Sequence, residues 1–195
     1  MEDIIKTKER LYNTGRVLPD KCGGAPESNR THGLFTLCNN HIKPDDIVCE
    51  VGSFAGVSSE VFALYAKEVH CIDPWIAYCD IPNNDDFIMA EKEFDVMVEC
   101  RGNVVKKKGV SKDVALEYPN GFFDLLYIDA VHDDVSVLTD IETWLPKLKP
   151  TGIMSGHDFD LPGVKKAVLT MFSNKKIATF SDNSWLVYIK EDGHV

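Results

Sequence analysis

The stretch Asp46-Ile47-Val48-Cys49-Glu50-Val51-Gly52-Ser53-Phe54-Ala55-Gly56-Val57-Ser58 decides how the rest of the chain is read. Its first half, 46–51, is a short apolar run of the kind a fully buried strand requires. Its second half carries two glycines spaced G-x-x-x-G, which permit a tight turn and close backbone approach before a helix over 56–67. A second apolar run, Glu68-Val69-His70-Cys71-Ile72-Asp73, completes a strand–helix–strand unit.

The same alternation continues outward in both directions. Upstream, a short helix at 31–41 leads into the first strand, and residues 1–30 form a peripheral segment with a helix at 2–13 and a loop rich in Gly, Pro and Asn. Downstream, 74–84 is a loop marked by Pro74, Pro82 and Asn83-Asn84. Phe87, Ala90, Phe94, Met97 and Val98 recur at helical spacing and predict an amphipathic helix over 85–100. Strands are expected at 103–107 and 122–128, with a short helix at 111–117 between them. Val137, Leu138, Ile141, Trp144, Leu145 and Leu148 mark a further helix, stopped by the turn Pro150-Thr151-Gly152.

A fifth strand at 152–156 precedes His157-Asp158, a helix follows at 163–173, and two strands close the chain at 176–180 and 184–190. The gap between the last two, Ser181-Asp182-Asn183, suits a hairpin and therefore an antiparallel edge. The expected fold is α/β and Rossmann-like: a doubly wound, mostly parallel seven-stranded sheet with a C-terminal antiparallel hairpin. The chain reads as one domain, 31–195, behind the N-terminal helix and loop of 1–30.

Composition narrows the function classes. The 195 residues are 44% hydrophobic and 27% charged, ordinary for a globular domain. Thirty-one acidic residues against twenty-one basic ones give a formal charge of −10, a poor match to nucleic acid, and the run Lys106-Lys107-Lys108 reads as a solvated strand end. No apolar run approaches the roughly 18 residues that span a bilayer, and the N-terminus lacks a signal-peptide pattern, so a cytoplasmic location is expected. Six cysteines at 22, 38, 49, 71, 79 and 100 contain no C-x-x-C pair. A zinc site from His70, Cys71 and Cys79 matches no ligand spacing, and reduced thiols are the better reading.

Ligands of such sheets bind beyond the carboxyl ends of the strands, where strand order reverses. The G-x-x-x-G spacing differs from the G-x-G-x-x-G of nicotinamide and flavin sites. A carboxylate such as Glu50 at the mouth of a pyrophosphate cradle would repel its ligand. It suits a cofactor with an ammonium group and no phosphate, and S-adenosylmethionine is one. Asp73, at the tip of the second strand, is placed to accept bonds from ribose hydroxyls. Turn chemistry alone is the competing explanation for the two glycines.

On these residues the chain resembles the class I S-adenosylmethionine-dependent methyltransferases, over about 31–190, and within them the small metal-assisted O-methyltransferases acting on sugars and small molecules. Glu50, Gly52, Gly56 and Ser58 match the glycine-loop signature, with Ser53 and Phe54 inside the loop, and Asp73 matches the ribose-binding acid. Gly109-Val110-Ser111 matches the turn that borders the adenine, with Ser111 as a hydrogen-bonding partner; Trp75 either stacks on the adenine or packs in the core.

Asp129 and Asp158, at the tips of neighbouring strands, correspond to the acids that hold Mg²⁺ or another divalent cation, with His157 as a third ligand. Asp129 also borders the cofactor loop. His132 matches the general base of the catechol-type members. The bland alternatives are a helix cap for Asp129, a helix-start hydrogen bond for His132, and ordinary loop polarity for His157-Asp158.

Three positions depart from the related pattern: Asp134 replaces an aromatic residue, Pro150-Thr151-Gly152 replaces Pro-Gly-Gly, and Phe159 replaces a tyrosine. The resemblance implies a small-molecule acceptor, a sugar hydroxyl ahead of a phenolic one, in a pocket lined from Trp75, Tyr78 and Phe159, and a homodimer is common for the architecture. Competing classes are an amine or nucleic-acid N-methyltransferase, a nicotinamide-dependent oxidoreductase and a catalytically silent cofactor-binding module. The sequence Asp129-Ala130-Val131-His132 lacks the Pro-Pro-aromatic run of the first.

Overall fold

The computed structural model describes residues 6–7, 32–77 and 84–190. Helical residues 6 and 7 fall inside the helix expected at 2–13. The rest of that helix, the loop that follows it, Cys22, Tyr78, Cys79, Pro82 and Asn83 lie outside the described residues.

The elements alternate as the sequence pattern requires. In chain order they are α1 (His32–His41), β1 (Ile47–Val51), α2 (Val57–Ala63), β2 (Glu68–Asp73), α3 (Asn84–Cys100), β3 (Val104–Lys108) and α4 (Ser111–Val114), then β4 (Phe123–Ile128), α5 (Asp134–Trp144), β5 (Leu148–Gly156), α6 (Pro162–Met171), β6 (Ala178–Thr179) and β7 (Trp185–Tyr188). The seven strands form one sheet in the order β3-β2-β1-β4-β5-β7-β6. β1 pairs in parallel with β2 on one side and β4 on the other, so strand order reverses at the carboxyl end of β1. β7 is antiparallel to both β5 and β6, which makes the closing hairpin part of the sheet edge.

Side chains alternate between two apolar layers. Leu37, Phe62, Phe94 and Tyr127 fill the layer beneath α1, α2 and α3, where Phe62 and Tyr127 meet edge-on at 5.0 Å. Leu126, Ile141, Trp144, Val168 and Trp185 fill the opposite layer beneath α5 and α6. Val48 belongs to the first layer and Cys49 and Val51 to the second. By the two-residue period of a strand, Glu50 therefore points into the first layer, toward α2.

Two of the boundary differences from the sequence expectation have a local cause. β5 begins at Leu148, so Pro150-Thr151-Gly152 lies within it; the register shift between Phe123 and Leu125 takes up the turn. α2 stops at Ala63, where Asn103 donates to the carbonyls of Ala63 and Ala66 at 2.9 and 3.0 Å and ends the helix early. No helix among the described residues is long and apolar enough to cross a membrane.

Candidate active site

The glycine loop lies where β1, β2 and β4 end. Gly52 adopts φ +94°, its N–H donates to the Ile72 carbonyl at 2.8 Å, and a Cβ there would stand 2.0 Å from the Asp129 carbonyl oxygen. Only glycine fits this approach of the β1 turn to the β4 tip. Gly56 adopts φ +80° and abuts Phe94 and Met97 of α3.

Asp73 organises the loop from the next strand. Its Oδ2 accepts from the Phe54 N–H at 3.0 Å and its Oδ1 from the Trp75 N–H at 2.6 Å. Trp75 closes the circuit by donating Nε1–H to the Phe54 carbonyl at 2.8 Å. Its indole is 3% exposed, 4.9 Å from the Phe94 ring and beneath the Lys106 ammonium at 4.6 Å. Trp75 packs against the core in this arrangement.

Glu50 and Ser111, read as ligand-facing, both turn inward. The hydroxyls of Ser58 and Ser59 donate to the two oxygens of Glu50, which is wholly buried. Ser111 donates to Asp140 at 2.6 Å and accepts from Trp144 Nε1–H at 2.9 Å, which pins the 109–111 turn to α5. The Gly109 N–H donates to the Asp73 carbonyl at 3.1 Å, and Val110 stays half-exposed at the rim.

At the tips of β4 and β5 the ladder continues one residue further: Asp129 N–H donates to Val51 O at 2.8 Å and His157 N–H to Ile128 O at 3.1 Å. This places Asp129, His132, His157 and Asp158 at one edge beside the glycine loop. His132 Nε2 stands 2.9 Å from Asp158 Oδ2 and 3.9 Å from Asp129 Oδ1. His157 Nδ1 lies 3.1 Å from Asp158 Oδ1. One ligand atom from each of Asp129, His132 and Asp158 falls within 4.8 Å of the others, so the tight group contains His132, with His157 beside it.

A methyltransferase-domain family matches residues 49–159, more than half of the chain, which takes in the glycine loop, Asp73 and the acidic cluster. The chain belongs to this methyltransferase family. Among solved structures, a methyltransferase from Geobacter sulfurreducens is 14% identical, with 96% of this chain and 89% of that one covered and a TM-score of 0.62. A Klebsiella pneumoniae protein assigned as an O-methyltransferase is also 14% identical, with the same coverage and a TM-score of 0.61. An rRNA methylase from Streptococcus thermophilus is 14% identical, covering 84% of this chain and 96% of that one, with a TM-score of 0.58. At these identities the structures testify to the fold. No curated protein matches the chain. The protein is thus an S-adenosylmethionine-dependent methyltransferase.

The charges of this methyltransferase's site are strongly mutual. Hydrogen bonds to Asp129 and Asp158 raise the His132 pKa to about 10 against the pull of burial. Burial works to lower His157, but its bond to Asp158 and the nearby carboxylates outweigh it and raise it to about 10. Burial alone would lift Asp158; the two imidazoles reverse this and hold it well below the usual carboxylate range.

The helix-cap alternative for Asp129 resolves locally. The cap of α5 is Asp133, which accepts from the N–H groups of Val135 and Ser136 at 3.1 and 3.0 Å, so Asp129 is free of that duty. Asp134 is paired with Lys166 of α6.

Three contributors escaped the sequence reading. Asp140 falls three residues after Val137 on the buried face of α5, a helical-period signal that marks it as interior. Gly163 would place a Cβ 2.3 Å from the His132 carbonyl, so its bareness lets the His132 turn sit on α6. Ser59 is the second hydroxyl on Glu50.

Proposed function

We propose that the methyltransferase acts on a hydroxyl group of a small molecule, a sugar hydroxyl first and a phenolic one second, with a divalent cation such as Mg²⁺ at Asp129 and Asp158. The observation that carries this reading is the convergence of Asp129, His132 and Asp158 at the strand tips flanking Gly52. Two carboxylates within reach of one another form an oxygen-rich donor set suited to Mg²⁺ or Mn²⁺, with the His132 imidazole beside them. His157 is placed to orient Asp158 from its other oxygen or to complete the donor set.

The chemistry divides simply. The cofactor already carries an activated methyl on sulfur, so the protein aligns an oxygen with the methyl–sulfur bond and removes its proton. A bound divalent cation supplies a lowered pKa for the acceptor hydroxyl. His132 is held protonated here by Asp129 and Asp158. Where Asp129 and Asp158 would hold a cation, they would loosen their grip on His132, and its Nε2 would be free to accept the hydroxyl proton. Glu50, Gly52, Ser53, Phe54, Gly56, Ser58, Asp73 and residues 109–111 form the cofactor side of the pocket, with Glu50, Ser58 and Ser111 acting from beneath its surface.

The formal charge of −10 favours a small acceptor over nucleic acid, although a structural neighbour is an rRNA methylase. The test is release of S-adenosylhomocysteine from a panel of sugar, phenol, amine and RNA acceptors, with Mg²⁺ and with chelator, for wild type and Asp129→Asn. The reading expects turnover on a hydroxyl acceptor that chelator or Asp129→Asn lowers by about 10²-fold or more. Equal rates in all three conditions rule out metal assistance, and turnover confined to amines or RNA rules out the acceptor class.

A further inference from the structure

Glu50 is a buried carboxylate with no counter-charge among the described residues. It is 0% exposed on the α2 side of β1, and neutral donors hold it: Ser58 and Ser59 donate to its two oxygens, with the Cys71 thiol beside it. The Ser53 hydroxyl, on the glycine loop itself, is also buried and turned toward Glu50 without closing a hydrogen bond. The titratable groups that face it are all acidic: Asp129 beyond β4, Tyr127 on β4, Cys71 on β2, Cys49 on its own strand and Cys38 on α1. Among the described residues no Lys, Arg or His pairs with it. Burial pushes its pKa up to about 7, opposed by the serine hydrogen bonds.

A negative charge enclosed by hydroxyls and acids is costly unless a cation comes from outside. S-adenosylmethionine carries one that its product lacks. Methyl transfer joins the methyl carbon to the acceptor oxygen and breaks its bond to sulfur; the bonding pair returns to sulfur, and the positive sulfonium becomes a neutral thioether. The acceptor's proton departs to a base, so charge balances. We propose that Glu50 is a specificity-determining residue that favours the sulfonium cofactor over its neutral thioether product and so aids product departure.

The inference rests on donor binding at the glycine loop. A sulfonium above the loop stabilises ionised Glu50, so S-adenosylmethionine binds more tightly as pH rises through the Glu50 pKa and displaces part of a proton there. S-adenosylhomocysteine keeps the α-ammonium but lacks the sulfonium, so its dependence on the Glu50 charge is smaller, and groups that affect both ligands alike, the ammonium included, cancel in the ratio of their Kd values.

Calorimetric titration with both ligands at about pH 6 and about pH 8 reads that ratio, in wild type and Glu50→Gln. The preference for S-adenosylmethionine should rise about threefold or more across this range in wild type and stay flat in Glu50→Gln. Titration of wild type near pH 7 in two buffers of different ionisation enthalpy should show more proton release with S-adenosylmethionine than with the product, a result independent of whether the variant folds. A pH-independent ratio in wild type, equal proton release for both ligands, or a pH dependence retained by Glu50→Gln overturns the proposal. If neither ligand binds wild type, the donor reading falls and takes this inference with it.

Discussion

Gly52→Ala offers the sharpest local perturbation. The added methyl would lie 2.0 Å from Asp129 O, 2.5 Å from Asp129 C and 2.7 Å from Ala130 Cα, all main-chain atoms that no side-chain rotation can remove. Real Cβ atoms essentially never approach closer than 3.0 Å, so the β1 turn and β4 tip must separate by roughly 1 Å. Retreat is resisted, because the Asp129 N–H is bonded to Val51 O at 2.8 Å. A non-glycine residue at φ +94° adds strain of about 1–3 kcal/mol. That predicts a melting temperature lower by roughly 2–10 °C.

The functional effect is larger, since a displacement of about 1 Å between the cofactor loop and Asp129 costs on the order of 10²-fold in rate. Gly121→Ala is the control: φ is +69° and nothing lies within 4 Å of its Cβ position, so it carries backbone strain without a clash. Steady-state S-adenosylhomocysteine release and thermal denaturation should show Gly121→Ala losing stability but keeping kcat/KM within about twofold. If Gly52→Ala retains as much activity as Gly121→Ala, the close approach is not what positions the site.

Ser111→Ala removes both hydrogen bonds that tie the 109–111 turn to Asp140 and Trp144; it should destabilise by about 1–3 kcal/mol and raise the cofactor Kd several-fold with kcat little changed, read by calorimetry and kinetics. Asp140→Asn should weaken cofactor binding in the same sense but less, since the amide oxygen can still accept from Ser111. His70 is 6% exposed, bonded to Tyr118 Oη at 2.8 Å and Glu68 Oε1 at 2.5 Å, and burial lowers its pKa. A folded pKa below the unfolded value of about 6.5 means the unfolded chain takes up the proton first, so this contribution to stability is intact above about pH 6.5 and is lost as pH falls through the lower folded value. His70→Gln should flatten the decline of melting temperature in that range.

The sequence disclosed the fold because its elements differ in hydrophobic period. Apolar runs at 46–51 and 68–73 read as buried strands, and the Val137–Ile141–Trp144 spacing reads as a helix. The short Ser181-Asp182-Asn183 gap read as a hairpin, and β6 pairs with β7. Which residues gather at the carboxyl edge also followed, because strand ends are marked in sequence. The facing of individual side chains did not. Glu50 follows the inward phase of β1, and Ser59, its second partner, carries no motif of its own. Ser111 looked like a donor to a ligand because Asp140 and Trp144, 29 and 33 residues away, become its neighbours only when α5 folds against the turn. His132 rather than His157 completes the tight acidic group because Gly163 lets the His132 turn settle on α6, a tertiary fact with no local signature.

A crystal structure with S-adenosylhomocysteine and Mn²⁺ would test the central arrangement directly, since anomalous scattering locates the ion without assumptions. The nucleoside should lie between the Gly52 loop, Asp73 and the 109–111 turn, with the manganese peak held by Asp129 and Asp158 and the thioether sulfur pointing toward it. A nucleoside seated away from the tips of β1 and β2, or a manganese peak remote from Asp129 while the nucleoside is bound, would contradict it.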